Sequence, residues 1–392
     1  MNNKNTSRSS GSPKPKKRPV RPKKERAYRI RNWHDYNTAL VQRGSLTLWL
    51  GREVLQDWRS QERKGKRGKP RFYSDQAITC ALRLRGVYRL PLRATEGLLY
   101  SLVAPLGADI AVPCYSTLSR RQAGLAVGLS APAAEPIETQ PLHLVVDGTG
   151  LKVFGDGEWK ARQHGVSKRR TSRQVHLAVD QKTGHVQAAA TTTNGVSDGQ
   201  VLPALLAQVT QPVAQVSADG GYDRRTCYEA IADRGAKAVI PPRRGARIWQ
   251  HGNSKQERLA LDENLRRIRQ VGRARWERES GYHRRSLVET AMFRLKTIFG
   301  SALRARTDAA QGTETLLRLS ALNRMTALGM PDAYLRLLAM IYATKPLCII
   351  NFTSTTWLLF SKIYLQRSRT HNYPPELDRP CRWSSWLKWG HG

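Results

Sequence analysis

Acidic residues are scarce in this chain: 30 Asp and Glu stand against 66 Lys and Arg over 392 residues, a formal net charge of +36. Such an excess points to a polyanionic partner, because neutralising phosphates releases condensed counterions and gives salt-sensitive affinity for nucleic acid. Membrane surface is the weaker alternative. Cysteine is sparse too. Cys80, Cys114, Cys227, Cys348 and Cys381 form no C-x-x-C pair, which argues against a zinc module or a disulfide framework and fits a reducing, intracellular setting. Long apolar runs are almost missing. The longest, Leu347 to Leu365, is broken by Asn351, three Thr, two Ser and Lys362, whereas a bilayer span needs about 20 predominantly apolar residues. The start of the chain is basic with no apolar core behind it, so no secretory signal is expected.

What is present divides along the chain. Residues 1–27 hold ten Lys or Arg, four Pro and one Glu, a composition that buries too little surface to offset chain entropy and predicts a disordered basic arm. Residues 28–130 carry helical apolar spacing, in LTLWLGREVLQDW and again in YSDQAITCALRLRGVYRL. Within them LRATEGLLYSLVAPLGADIAVPCYSTLSRRQAGLA reads as a helix, a Pro and Gly break, and a short helix capped by Ser116 or Thr117. That is the outline of a helix-turn-helix, in which Ser119, Arg120, Arg121 and Gln122 would face DNA, with Arg suited to guanine edges and Gln to adenine. A plain structural helix is the alternative. LSAPAAEPIETQP marks a linker over residues 131–141.

Residues 142–335 change period. PLHLVVDGTG is a short apolar run ending in Asp and Gly, RQVHLAVD and HVQAAATTT flank the turn QKTG, and VAQVSADGGYD is another strand ending in Asp. With helices at DGQVLPALLAQV, at TCYEAIADRG and around Glu289, this predicts a mixed α/β sheet whose working groups gather at strand carboxyl ends. Asp147 and Asp219 are expected there. Each Asp-Gly is also a common turn, and Asp156, Asp180, Asp198 and Asp223 read as turn or helix-start residues. Two carboxylates on neighbouring strands, with no soft ligand nearby, suit Mg²⁺ or Mn²⁺ better than zinc. His143, His176 and His185 read as packed or surface side chains.

A third acid stands in GYHRRSLVETAMFRLK. At roughly 100° per residue, Tyr282, Arg285, Glu289 and Lys296 share one helix face beside the apolar stripe of Val288, Ala291, Leu295, Ile298 and Phe299. Ser286 to Glu289 also matches a capping box, in which Glu289 would only bond a backbone N–H. The basic stretch from Arg243 to Arg278 contains Trp249 and Trp276, each able to stack on an unpaired base or simply to pack. Residues 336–392 form an atypical tail, with Trp357, Trp383, Trp386 and Trp389.

The spacing Tyr282, Arg285, Glu289, Lys296, following Asp147 and Asp219 on strands, resembles the signature of DDE transposases of bacterial insertion sequences. NWHDYNTALVQRG, YSTLSRR and LNRMTALGMP are similar to that group as well, over roughly residues 30–335. The resemblance implies a ribonuclease H-like domain of mixed sheet and flanking helices, preceded by a helical DNA-binding domain. It implies that Asp147, Asp219 and Glu289 bind Mg²⁺ or Mn²⁺, two ions, and that Tyr282, Arg285 and Lys296 contact the transposon end. The implied partners are terminal inverted repeats and target DNA, met by a homodimer or larger assembly in the bacterial cytoplasm and without a membrane. The implied reaction is hydrolysis at the ends followed by attack of the 3′-hydroxyl on target DNA. A silent DNA-binding descendant and a nuclease without strand transfer are the other readings.

Overall fold

The computed structural model describes residues 28–61, 71–103, 110–129, 140–153, 172–249 and 260–335. The expected basic arm, the tail, Asp156 and most of the linker lie outside them.

After a short strand β1 (Tyr28–Ile30) come helices α1 (Trp33–Gln42), α2 (Leu46–Trp49), α3 (Arg52–Gln56), α4 (Asp75–Val87), α5 (Leu92–Val103) and α6 (Tyr115–Gln122). Helix α4 begins where Ser74 accepts a hydrogen bond from the Ala77 N–H, which satisfies one of the helix's orphan donors. Ala77, Ile78, Ala81, Leu82 and Leu84 are buried on its inner side. Helix α6 is entered through Cys114, not Ser116 or Thr117.

The sheet begins with β2 (Leu142–Val153), β3 (Ser172–Asp180) and β4 (Val186–Thr193), an antiparallel meander. Helix α7 (Asp198–Gln208) leads to β5 (Val213–Ala218), and α8 (Arg225–Ala232) leads to β6 (Lys237–Val239). β5 lies parallel to β2 and β6 parallel to β5. The spatial order β4-β3-β2-β5-β6 is the ribonuclease H-like arrangement. Then follow α9 (Ala260–Val271), α10 (Arg273–Glu279), α11 (Ser286–Phe299), β7 (Ala302–Leu303), α12 (Asp308–Ala327) and β8 (Ala333–Leu335). β7 pairs with the far end of β2, and β8 with β1.

Pleating sends alternate residues of β2 to opposite faces. Val145 and Leu151 join Leu177, Val288, Leu295 and Leu319 on one side, together with Trp49, Ile78, Leu99 and Leu118 of the preceding helices. Leu144 and Val146 join Ala178, Leu205, Val216 and Ile231 on the other. Being covered on both faces, β2 is apolar at the consecutive buried positions Leu144, Val145 and Val146 before Asp147.

Candidate active site

Parallel pairing sets Val146 opposite Ala218. Asp147 and Asp219 are the next residues, so two carboxylates leave adjacent strands spaced about 4.8 Å apart. Asp219 follows the last residue of its strand, as expected, and accepts from the Gly221 N–H at 2.8 Å at the start of the 3₁₀ turn Gly220–Tyr222. Asp147 departs from the expectation. It sits within β2, which continues to Val153 because Gly148 and Gly150 still pair with His176 and Gln174 of β3.

Glu289 arrives from α11, entered through a 3₁₀ turn at Tyr282–Arg285 that Gly281 opens at φ 70°, a left-handed conformation glycine adopts without strain. The capping box does not form. Arg285 occupies the N-cap position without a side-chain cap bond, and Ser286 Oγ donates back to the His283 carbonyl at 3.3 Å. Glu289 Oε1 instead accepts from Arg285 Nη2 at 2.7 Å, and Arg285 Nη1 donates to Asp147 Oδ2 at 2.7 Å. One planar guanidinium thus ties two of the acids together, as its fork geometry permits. Val288, Ala291, Met292, Leu295 and Phe299 are buried, which holds exposed Glu289 at the rim. Further along α11, Lys296 Nζ donates to Thr149 Oγ1 at 2.6 Å, on the same face of β2 as Asp147.

Burial raises the Asp147 carboxyl above its ordinary value; Asp219 and Glu289 add to this, while the Gly148 N–H and Arg285 oppose it. Burial likewise pushes up the Tyr282 phenol, whose ring lies 5.9 Å from that of Trp276. Trp276 is core, whereas Trp249 is 69% exposed.

Asp198, read from sequence as a helix-start residue, is one, yet the fold also brings it to this site. A Cβ on Gly148 would lie 2.9 Å from Asp198 Oδ1, and one on Gly221 3.5 Å from Asp198 Oδ2. His176, fully buried, holds Nδ1 at 3.3 Å from Asp198 Oδ1 and Nε2 at 3.0 Å from Thr192 Oγ1. The buried Tyr222 hydroxyl has no hydrogen-bond partner among the described residues; burial raises its pKa, and Asp198, Asp147 and Asp219 raise it further. No local signal announces this convergence, since the capping pair Ser197 and Gln200 fully accounts for a helix start. An open groove of about 640 Å³ adjoins it, lined by Gly148, Gly150, Gln174, Asn194, Asp198 and Arg224 among others.

Other expected residues stand apart. Arg120 is exposed, while Arg121 is tied to Asp75 and to the Tyr73 carbonyl. Gln122 does not face solvent: it is 3% exposed, bonding Arg85 and the Ala310 carbonyl, because its side of the last turn of α6 packs inward. His143 bonds Ser217 and Gln215. Among the described residues, no three His, Cys, Asp or Glu side chains converge closely enough to hold a metal ion, and no helix is long and apolar enough to cross a membrane.

Two protein-family models, both described as transposase DDE domains, match residues 41–156 and 138–324. Among solved structures, the chain is similar to the Drosophila P element transposase strand transfer complex, at 13% identity and TM-score 0.27, over 48% of this chain and 46% of that one. The chain therefore spans under half of that relative. It is also similar to the piggyBac transposase synaptic complex with hairpin DNA, at 11% identity and TM-score 0.32, over 76% of each chain. Taken with the Asp147, Asp219 and Glu289 arrangement, the two family matches, which together span residues 41–324, make this chain a member of the DDE transposases.

Proposed function

We propose that this transposase binds terminal inverted repeats of an insertion sequence, cleaves phosphodiester bonds at the ends, and joins the freed 3′-hydroxyl to target DNA. One observation carries the reading: Asp147 and Asp219 leave adjacent parallel strands while Arg285 links Asp147 to Glu289. The donor set is carboxylate oxygen, with neither thiolate nor imidazole among the three, and so fits a hard divalent cation. Asp147, Asp219 and Glu289 do not converge as they stand; drawn together in place of the Arg285 ion pairs, they would hold Mg²⁺ or Mn²⁺, two ions, which would supply an activated water or 3′-hydroxyl and a stabilised leaving oxygen for in-line displacement.

The chain's own residues do the rest. Arg285 keeps Asp147 and Glu289 from repelling one another and presents a bidentate fork suited to phosphate. Lys296 and Tyr282 flank it and contact the transposon end, and the exposed Arg120 meets DNA outside the centre, with Arg121 beside it. The surplus of 36 positive charges supplies non-specific affinity and steering. Joining two ends to one target calls for a dimer or larger assembly on DNA, in a reducing compartment of a bacterial cell. The helices of residues 28–130 form the end-binding part and residues 142–335 the catalytic part.

The test uses duplexes bearing the inverted repeats that flank the gene, incubated with Mg²⁺ or Mn²⁺ and either wild type or Glu289→Gln. Metal-dependent 3′-hydroxyl ends and joined products from wild type alone, with both proteins binding, are expected. Binding without cleavage by either would leave a silent DNA-binding protein, and cleavage without joining a nuclease.

A further inference from the structure

A cleft between α4, the carboxyl end of α11 and α12 is lined by Arg83, Arg85, Arg89, Arg304 and Arg318 around one acid, Glu314. Its enclosed space is about 20 Å³, room for one water-sized atom. The acid is already engaged: Glu314 accepts from Arg318 Nη2 and from the backbone N–H groups of Arg304 and Ala305. The other four guanidiniums have no carboxylate partner among the described residues.

Their hydrogen bonds run to neutral acceptors. Arg89 donates to the Ile298 and Thr297 carbonyls, Arg304 to the Arg89 carbonyl at 2.7 Å, Arg83 to Ser320 Oγ at 3.0 Å, and Arg85 Nη1 to Gln122 Oε1 at 3.3 Å. Arg85 is 9% exposed and its Nε is buried with no hydrogen-bond partner among the described residues. Burial lowers the pKa of Arg85, with Arg304 and Arg318 adding to the effect and Glu314 opposing it. Leaving a buried charged donor unpaired is unfavourable, and a negative atom in the cleft among these guanidiniums would offset it. Arg89 and Arg304 are exposed, so the entrance is itself cationic.

We propose that this cleft binds a compact anionic atom, either a monatomic ion such as chloride or a single oxygen of a phosphate, the phosphate being free or part of a DNA backbone. Because Arg89 grips the last carbonyls of α11, an occupied cleft fastens the end of the helix that carries Glu289 and Lys296 to α4 and α12. The site stands independently of the transposition chemistry.

The experiment follows thermal unfolding of the full chain at constant ionic strength, replacing sodium gluconate with sodium chloride, bromide or phosphate. Wild type is expected to gain about 2–4 °C, saturably, as the anion passes well above its dissociation constant. Arg85→Met, and Arg304→Gln at the exposed entrance should the buried substitution prevent folding, are expected to lose that saturable gain. Saturating duplex DNA separates the sources: if a backbone phosphate fills the cleft, the gain from phosphate ion disappears, and if a free ion fills it, the gain persists with an anomalous bromide peak beside Arg85 Nε in crystals. Equal gains in wild type and both variants, or a water molecule there with no bromide signal, would overturn the proposal.

Discussion

Two clusters in this molecule are near mirror images in charge. At the sheet, one guanidinium, Arg285, lies between two acids, with Asp219 and Asp198 close by. Behind α11, one acid, Glu314, lies among five arginines. They differ in access to water. The side chains of Asp147 and Glu289 are 17% and 54% exposed, whereas Arg318 and Glu314 are 5% and 8% exposed. Surplus charge that reaches solvent can be hydrated and remains free to meet a ligand. Surplus charge inside is costly until something matches it. The minority charge is accordingly a positioning element at the sheet and a structural necessity behind α11.

The comparison breaks most visibly if its two halves respond alike. Glu289→Gln is expected to lower metal-dependent end cleavage on the order of 10³-fold while leaving the unfolding transition in place; coincident loss of both in a denaturation and cleavage series would make Glu289 structural. Glu314→Gln should do the reverse. Removing the one acid strands buried Arg318, with an expected loss of about 3–5 kcal/mol in urea unfolding, and a change below about 1 kcal/mol would mean the cleft has another source of negative charge.

Gly148→Ala probes how closely Asp198 is tied to the site. The new Cβ would meet Asp198 Oδ1 at 2.9 Å and His176 Nδ1 at 3.2 Å, so these groups must shift, at a cost of about 1–3 kcal/mol. A cleavage rate reduced roughly 10²-fold is expected, since small displacements near reacting groups have effects of that size. Unchanged cleavage would place Asp198 outside the working site.

The smallest effect concerns pH. Burial raises the Asp147 carboxyl, so the folded chain holds that proton more tightly than the unfolded one. The stability this contributes is complete below the unfolded value of about 3.9 and is lost as pH rises through the folded value. Asp147→Asn escapes that loss. Its thermal midpoint is expected to exceed wild type by ~2 °C at pH 7, with the gap closing below about pH 4. A gap that stays constant with pH would assign the gain to something other than this carboxyl.

Much of the frame could be read along the chain. The meander of β2 to β4, the strand ending at Ala218, and the apolar stripe of α11 each follow from a period of two or 3.6 residues, which is local information. The order of Asp147, Asp219 and Glu289 was readable for the same reason. What eluded reading depended on partners remote in sequence. Gln122 looked like a DNA-facing residue until α12 covered it, and Ser286 to Glu289 matched a capping box until Arg285 took the acid.

By itself, then, the sequence determined the main strands of the sheet, the helix of Glu289, the positive field and the acids worth watching, because backbone sterics and hydrophobic periodicity act over a few residues. Only the tertiary structure decided that β2 runs on past Asp147, that Asp198 meets Gly148, that Arg285 joins two carboxylates and that five arginines close on Glu314. Those outcomes depend on which distant surfaces pack together, and packing selects among pairings that local spacing leaves equally open.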